Sequence, residues 1–122
     1  MKETSYVLAE PFSPADLLHG PVAMVDYGFP VMLVAPSGKA SDDAPALIDA
    51  LTSRGARVIA MSDREDVLAG TESRIRLPAD VPEWLSPIVS VVPGQLWARS
   101  LAMAKGIDSD RPRGLSKVTR TR

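Results

Sequence analysis

The sequence predicts an α/β fold, a three-layer α/β/α sandwich around a mainly parallel sheet, and three observations carry that prediction. Residues 30–36 and Arg57–Ser62 are continuous apolar runs rich in branched side chains, the pattern of strands buried on both faces. A helical stretch lies between them, so a crossover joins the two strands and they pair in parallel. Residues 73–78 alternate polar and apolar side chains, as a shorter strand near a sheet edge does.

Each element has its own local reason. Residues 2–8 read as the closing turns of a helix. No capping residue or lead-in precedes them, so the chain is expected to start inside an element. Residues 7–10 are a short extended segment stopped by Pro11. Ser13, Pro14 and Asp16 open a helix, with serine as N-cap, proline in the first turn and an acid beside it. That helix passes through Leu17 and Leu18 and breaks at Gly20-Pro21. Ser41-Asp42-Asp43 opens the crossover helix, with Ala46, Leu47, Ala50 and Leu51 on one stripe. Arg54-Gly55 ends it, a cation and then a glycine. After the third strand, residues 83–93 are mostly apolar. A longer helix is expected from Gly94 through Leu96, Trp97 and Leu101 to Lys105-Gly106. Trp84 and Trp97 are expected in the core or at an interface. The predicted order is β-α-β-β-α.

Composition narrows the class. A chain of 122 residues with a formal net charge of -1 is one domain or part of one. The charge argues against a dedicated nucleic-acid binder, which carries a strong basic excess. With no cysteine, a disulfide, a thiolate nucleophile and a zinc–thiolate site are all excluded. The N-terminus has no apolar run of signal-peptide length, and no stretch reaches the roughly 20 apolar residues that span a bilayer. A cytoplasmic setting without membrane or nucleic-acid partners is the expectation.

Few residues offer chemistry. His19 is the only histidine. It reads either as a helix-terminal imidazole favoured by the helix dipole or as an acid–base group working near neutral pH. Glu3 and Glu10 read as solvated helical acids or as candidate bases. Asp42-Asp43 reads as a helix start. Asp63, Glu65 and Asp66 follow a strand on the side where open α/β sheets place ligands, and a solvated loop is the simpler reading. Gly38-Lys39 lacks Walker spacing, and no dinucleotide glycine fingerprint occurs. The carboxylates show no metal-ligand spacing, so neither a metal nor a cofactor is expected. Residues 108–119 follow an apolar helix but cannot continue it, because Pro112 removes a donor and Gly114 favours a turn. A lysine on such a tail, here Lys117, can deliver an amine to a carbonyl substrate.

Taken together, these pieces resemble one family. Lys2-Glu3-Thr4-Ser5-Tyr6, Ala9-Glu10 and Leu18-His19-Gly20-Pro21-Val22-Ala23 are similar to the run that opens the second half of a sugar isomerase (SIS) domain pair. Ala104-Lys105-Gly106-Ile107-Asp108 and the stretch Pro112-Arg113-Gly114-Leu115-Ser116-Lys117-Val118-Thr119 resemble the C-terminal signature of the glucosamine-6-phosphate synthase family. The ending Thr119-Arg120-Thr121-Arg122 is closer to stand-alone SIS-pair deaminases and isomerases of amino-sugar phosphates.

The resemblance implies an incomplete SIS, flavodoxin-like domain that lacks its first strand. Residues 1–106 would be the second SIS subdomain, N-terminally truncated, and residues 107–122 a tail carrying the catalytic lysine. It further implies that His19 helps open the sugar ring across a dimer interface, that Glu3 moves a proton between C1 and C2, and that Lys117 forms a Schiff base. Lys2 is a weaker candidate for substrate binding. The substrate would be fructose 6-phosphate or glucosamine 6-phosphate. Its phosphate would be held by a Ser/Thr-rich loop of the first SIS half, which this chain does not contain. The implied function is the C-terminal half of a phosphosugar isomerase or aminotransferase, inactive alone. The alternative is a non-catalytic module that binds a sugar phosphate or only dimerises. The expected partners are a hexose phosphate or amino-sugar phosphate, together with a second copy or a first SIS half on another chain.

Overall fold

The apolar run at Arg57–Ser62 buries its side chains by taking the middle of a sheet. In the computed structural model, which describes residues 1–114, it is strand β2, flanked by β1 (Pro30–Val34) and β3 (Ser73–Arg76) in the order β1-β2-β3. Both pairings are parallel, with Val31 opposite Val58, Leu33 opposite Ala60, and Met61 opposite Ile75. The expected parallel α/β fold is therefore present. The described residues fall into two units, Phe12–Val91 and Met1–Pro11 with the described residues from Val92 onward.

In the first of these units, helix α3 (Ala44–Thr52) is the crossover between β1 and β2. Its buried residues are Ala44, Leu47, Ile48 and Leu51, at the spacing of one helical face. The stripe is rotated from the expected one: Leu47 and Leu51 are in it, but Ala46 is exposed and Ala50 half-buried. Ile48 is the larger apolar side chain, and burying it outweighs burying two alanines. Helix α4 (Glu65–Ala69) links β2 to β3, and it contributes Val67 and Leu68 to the same core as Val58 and Ala60. This corrects the expected loop at Glu65 and Asp66, while Asp63 stays in the bend before the helix. The two acids in its first turn and the Val67-Leu68 pair are helix signals, but five residues are too few to show periodicity.

Strand β1 departs from its expectation. Its residues run from half-buried to exposed, with Val34 48% exposed, whereas β2 is buried at Val58 and from Ala60 to Ser62. A continuous apolar run reports the residue type but not the presence of a neighbour on each side, and among the described residues β1 pairs only with β2. The turn before β2 is as read. Gly55 has φ 80°, and a Cβ there would lie 3.1 Å from the Tyr27 backbone, so glycine is needed both for the conformation and for the close approach.

Helix α5 spans Ser86–Ala104, with Pro93 inside it. It starts eight residues before the expected Gly94. Pro87 suits the first turn, and Pro93 is tolerated within the helix although it removes one interior hydrogen bond. Apolar residues occur all around this helix, and Ile88, Val92, Leu96 and Met103 are exposed. Trp84, expected in the core or at an interface, is 78% exposed and so is not in the core; it lies in a 3-10 turn at Glu83–Leu85. No helix among the described residues is long and apolar enough to cross a membrane.

Candidate functional site

His19 stands where its capping sequence places it. Helix α2 (Pro14–Leu18) opens as predicted, the Ser13 hydroxyl accepting the Asp16 N–H at 3.1 Å. His19 closes it, donating its backbone N–H to the Ala15 carbonyl at 3.1 Å. Gly20 then turns the chain into the 3-10 segment Pro21–Met24. Leu17 and Val22 pack on the apolar core on either side of His19, while the imidazole is exposed. The core thus holds the backbone of a histidine whose ring is free to meet a ligand.

Around the carboxyl ends of the strands, the acids are engaged. The Ser37 N–H donates to Asp63 Oδ1 at 2.7 Å. Burial alone would raise the Asp63 pKa, but the donors from Ser37 outweigh it and hold the carboxyl below its usual range. Arg64 grips Asp66 with two nitrogens, at 3.1 and 2.6 Å, and donates to the Ser41 carbonyl at 2.9 Å. Its backbone N–H reaches the buried Ser62 hydroxyl at 3.0 Å, which in turn donates to the Ala35 carbonyl at 2.6 Å. Arg76 pairs with Glu65. The arginine hydrogen bonds hold both Asp66 and Glu65 below their usual range. The cavity beside Asp63 is small, about 10 Å³. These acids therefore serve the fold.

The sign of their pH effect follows. Carboxyls whose folded pKa is depressed contribute stability above their unfolded values, here 3.8 and 4.5, and lose it as pH falls through the folded ones. The urea midpoint is expected to be flat from neutral pH down to those values and to fall below them. In Arg64→Ala the acid-side fall becomes shallower, because Asp66 then titrates near its unfolded value.

Glu3 and Lys2 lie in the other unit, in helix α1 (Lys2–Ser5). Glu3 is exposed. Lys2 Nζ meets Glu10 Oε1 at 2.7 Å, so these two sequence candidates neutralise each other. The chain leaves α1 through Tyr6, at φ 53°, a left-handed conformation uncommon for a residue with a side chain. Lys105 Nζ donates to the Ser5 carbonyl at 2.7 Å, and the Arg113 backbone N–H donates to Tyr6 Oη at 2.7 Å. The Arg113 guanidinium lies 4.2 Å from the Tyr6 ring centroid, a cation–π contact. The Arg113 backbone hydrogen bond, with the nearby guanidinium assisting, lowers the Tyr6 pKa from its ordinary value although desolvation opposes it. A cavity of about 500 Å³ is lined by Tyr6, Lys105, Asp108, Arg111 and Arg113 among others. Sequence reasoning quoted Tyr6 and Arg113 within motifs but gave them no role, since only the fold shows them in contact. Lys117 lies outside the described residues. Among those described, no three acids or histidines gather to hold a metal ion.

The fold and these motifs agree with comparison to known proteins. The model of the SIS domain family matches residues 1–105, and the chain belongs to that family. It is 44% identical over 117 residues to a glutamine–fructose-6-phosphate aminotransferase (isomerizing) of Thermococcus kodakarensis, covering 96% of this chain and 19% of the relative. A protein of the same name from Leifsonia xyli is 42% identical over 123 residues, covering 96% and 20%. The chain thus spans about a fifth of the length of these relatives. A solved structure, the C-terminal domain of glucosamine-fructose-6-phosphate aminotransferase from Francisella tularensis, superposes with a TM-score of 0.78 at 29% identity. That superposition covers 90% of this chain and 31% of the solved one.

Proposed function

We propose that the chain is the second SIS half of a phosphosugar isomerase or aminotransferase, acting on fructose 6-phosphate or glucosamine 6-phosphate. The observation that carries this is the 44% identity to an isomerizing aminotransferase across 96% of the chain; the roles of Glu3, His19 and Lys117 are those the family resemblance implies. In this reading His19, exposed on a core-anchored turn, transfers the proton that opens the sugar ring. The Lys117 amine adds to the C2 carbonyl, and water leaves as the Schiff base forms. Water, or ammonia in an aminotransferase, then adds at C2 and the lysine leaves as its free amine, after which Glu3 takes a proton from one of C1 and C2 and returns it to the other. A first SIS half supplies the phosphate grip, and a second copy of the chain completes the His19 site. Residues 107–122 form the tail that brings the lysine, and the reaction is cytoplasmic and needs no cofactor.

Calorimetry with fructose 6-phosphate and glucosamine 6-phosphate tests this on the chain mixed with a first SIS half from one of the relatives. Binding accompanied by turnover supports the reading. Binding without isomerisation or deamination makes the chain a sugar-phosphate-binding module, and no binding leaves it a dimerisation role.

A further inference from the structure

We propose that the cavity bounded by Tyr6, Lys105, Arg111 and Arg113 binds a phosphoryl dianion, free or carried on a small molecule. The inference goes beyond the reading above, which leaves the substrate's phosphate to a first SIS half.

The cavity belongs to a single unit of the chain, the one formed by Met1–Pro11 and the described residues from Val92 onward. Helix α5 is followed by Gly106 at φ 68°, and the Ile107 N–H returns to the Ala102 carbonyl at 2.9 Å. This reverses the chain. Asp108 fixes the next turn: its carboxylate accepts the Asp110 N–H at 2.9 Å, and its carbonyl accepts the Arg111 N–H at 3.2 Å. Beyond that turn the Arg113 N–H donates to Tyr6 Oη at 2.7 Å, while the Lys105 amine donates to the neighbouring Ser5 carbonyl at 2.7 Å. These bonds set three cationic side chains around one cavity of about 500 Å³.

Charge decides what such a cavity takes. Lys105, Arg111 and Arg113 share it with one carboxylate, Asp108, which leaves a surplus of two positive charges. Among the described residues none of the four forms an ion pair. The helix dipole accounts for a lysine at the end of α5, but Arg111 and Arg113 lie beyond the helix. Cations gathered without partners repel one another, and a dianion among them removes that cost.

The donors point to the same class of ligand. Lys105 keeps two N–H groups after its bond to Ser5, and the Tyr6 hydroxyl, which accepts from Arg113, still has its own proton to give. The Arg113 guanidinium lies over the Tyr6 ring, 4.2 Å from its centroid. Stacking engages the face of a guanidinium and leaves its in-plane N–H groups for a ligand. Donors from several side chains suit a phosphoryl group, with its three strong acceptor oxygens, better than a planar carboxylate with two. The volume lies within the roughly 300–1,000 Å³ of small-molecule sites, so it has room for more than the phosphoryl group itself.

Calorimetric titration of the full chain with inorganic phosphate and with glycerol 3-phosphate, at constant ionic strength, tests the proposal. Saturable binding at millimolar ligand is expected. A tighter glycerol 3-phosphate assigns the site to a phosphate monoester, and an equal or tighter inorganic phosphate assigns it to the free ion. Arg111→Ala is expected to weaken binding by roughly ten- to a hundredfold, and Tyr6→Phe by roughly three- to tenfold. Arg99→Ala removes the same charge from an exposed position on α5 outside the cavity lining, and affinity should change less than about twofold, as for a screened surface charge. The thermal midpoint without ligand shows that each variant is folded. With ligand it should rise in the natural chain and in Arg99→Ala. No saturable binding of either probe to the natural chain overturns the proposal. So does equal weakening in Arg99→Ala and Arg111→Ala, which would reduce the effect to general charge. Neither result bears on the catalytic reading, whose test requires a first SIS half.

Discussion

Replacing Lys117 with alanine is expected to lower turnover of fructose 6-phosphate by at least about a thousandfold when the chain is assayed with a first SIS half. That loss equals about 4 kcal/mol of transition-state stabilisation. An amine that adds to the carbonyl carbon has no substitute among the side chains proposed for this site: Glu3 is an acid and His19 serves the ring oxygen. Lys117→Arg separates covalent chemistry from simple electrostatics. A guanidinium keeps the charge but stays protonated at any working pH, so it cannot form the Schiff base. Both variants are expected to be equally impaired, while sugar-phosphate affinity changes little. An active Lys117→Arg protein would assign the lysine an electrostatic role.

Leu51→Ala is expected to have the largest effect on stability. Leu51 has 0% exposure and lies on the buried face of α3 with Leu47 and Ile48, in the cluster that also holds Val58 and Ala60 of β2. Its carbonyl accepts the Arg54 and Ala56 N–H groups, at 3.1 and 3.2 Å, so the turn into β2 is anchored at the same residue. Removing its side chain leaves a cavity that the backbone cannot close, at a cost of about 2–5 kcal/mol. Against the 5–15 kcal/mol typical of a whole domain that is a large fraction. The thermal midpoint should drop on the order of 10 °C. Ala46→Ser, on the exposed side of the same helix, should move it far less. Equal losses in the two variants would mean that α3 buries the stripe expected from sequence rather than the one observed.

That comparison bears on how far the sequence can be read. Caps and chain breakers are local chemistry, so Ser13, Pro14, Gly55 and the bounds of β2 were legible from residue type alone. The Ala46–Leu47–Ala50–Leu51 stripe was half right because two adjacent faces of α3 both carry apolar residues, and only the sheet decides between them. Helix α4 was hidden by its five-residue length. The start of α5 lies eight residues before the expected Gly94, because the helix runs through Pro93. The burial of β1 depends on neighbours, which periodicity does not record.

For the candidate site, the family resemblance implied Glu3, His19 and Lys117, and the structure gives His19 an exposed ring on an anchored turn. It also pairs Lys2 with Glu10 and turns the Asp63–Asp66 acids into structural partners of Ser37, Arg64 and Arg76. The Tyr6–Arg113 contact joins residues 107 apart, a separation that no local pattern encodes.

Turnover of fructose 6-phosphate by the chain combined with a first SIS half, comparing the natural sequence with Glu3→Gln, tests the catalytic assignment most directly. Glutamine keeps the shape and hydrogen bonding of glutamate but cannot take up the proton that moves between C1 and C2. The assignment predicts isomerisation by the natural pair and its loss in Glu3→Gln, with sugar-phosphate binding retained in both. Binding with no turnover in the natural pair, or undiminished turnover in Glu3→Gln, would contradict it.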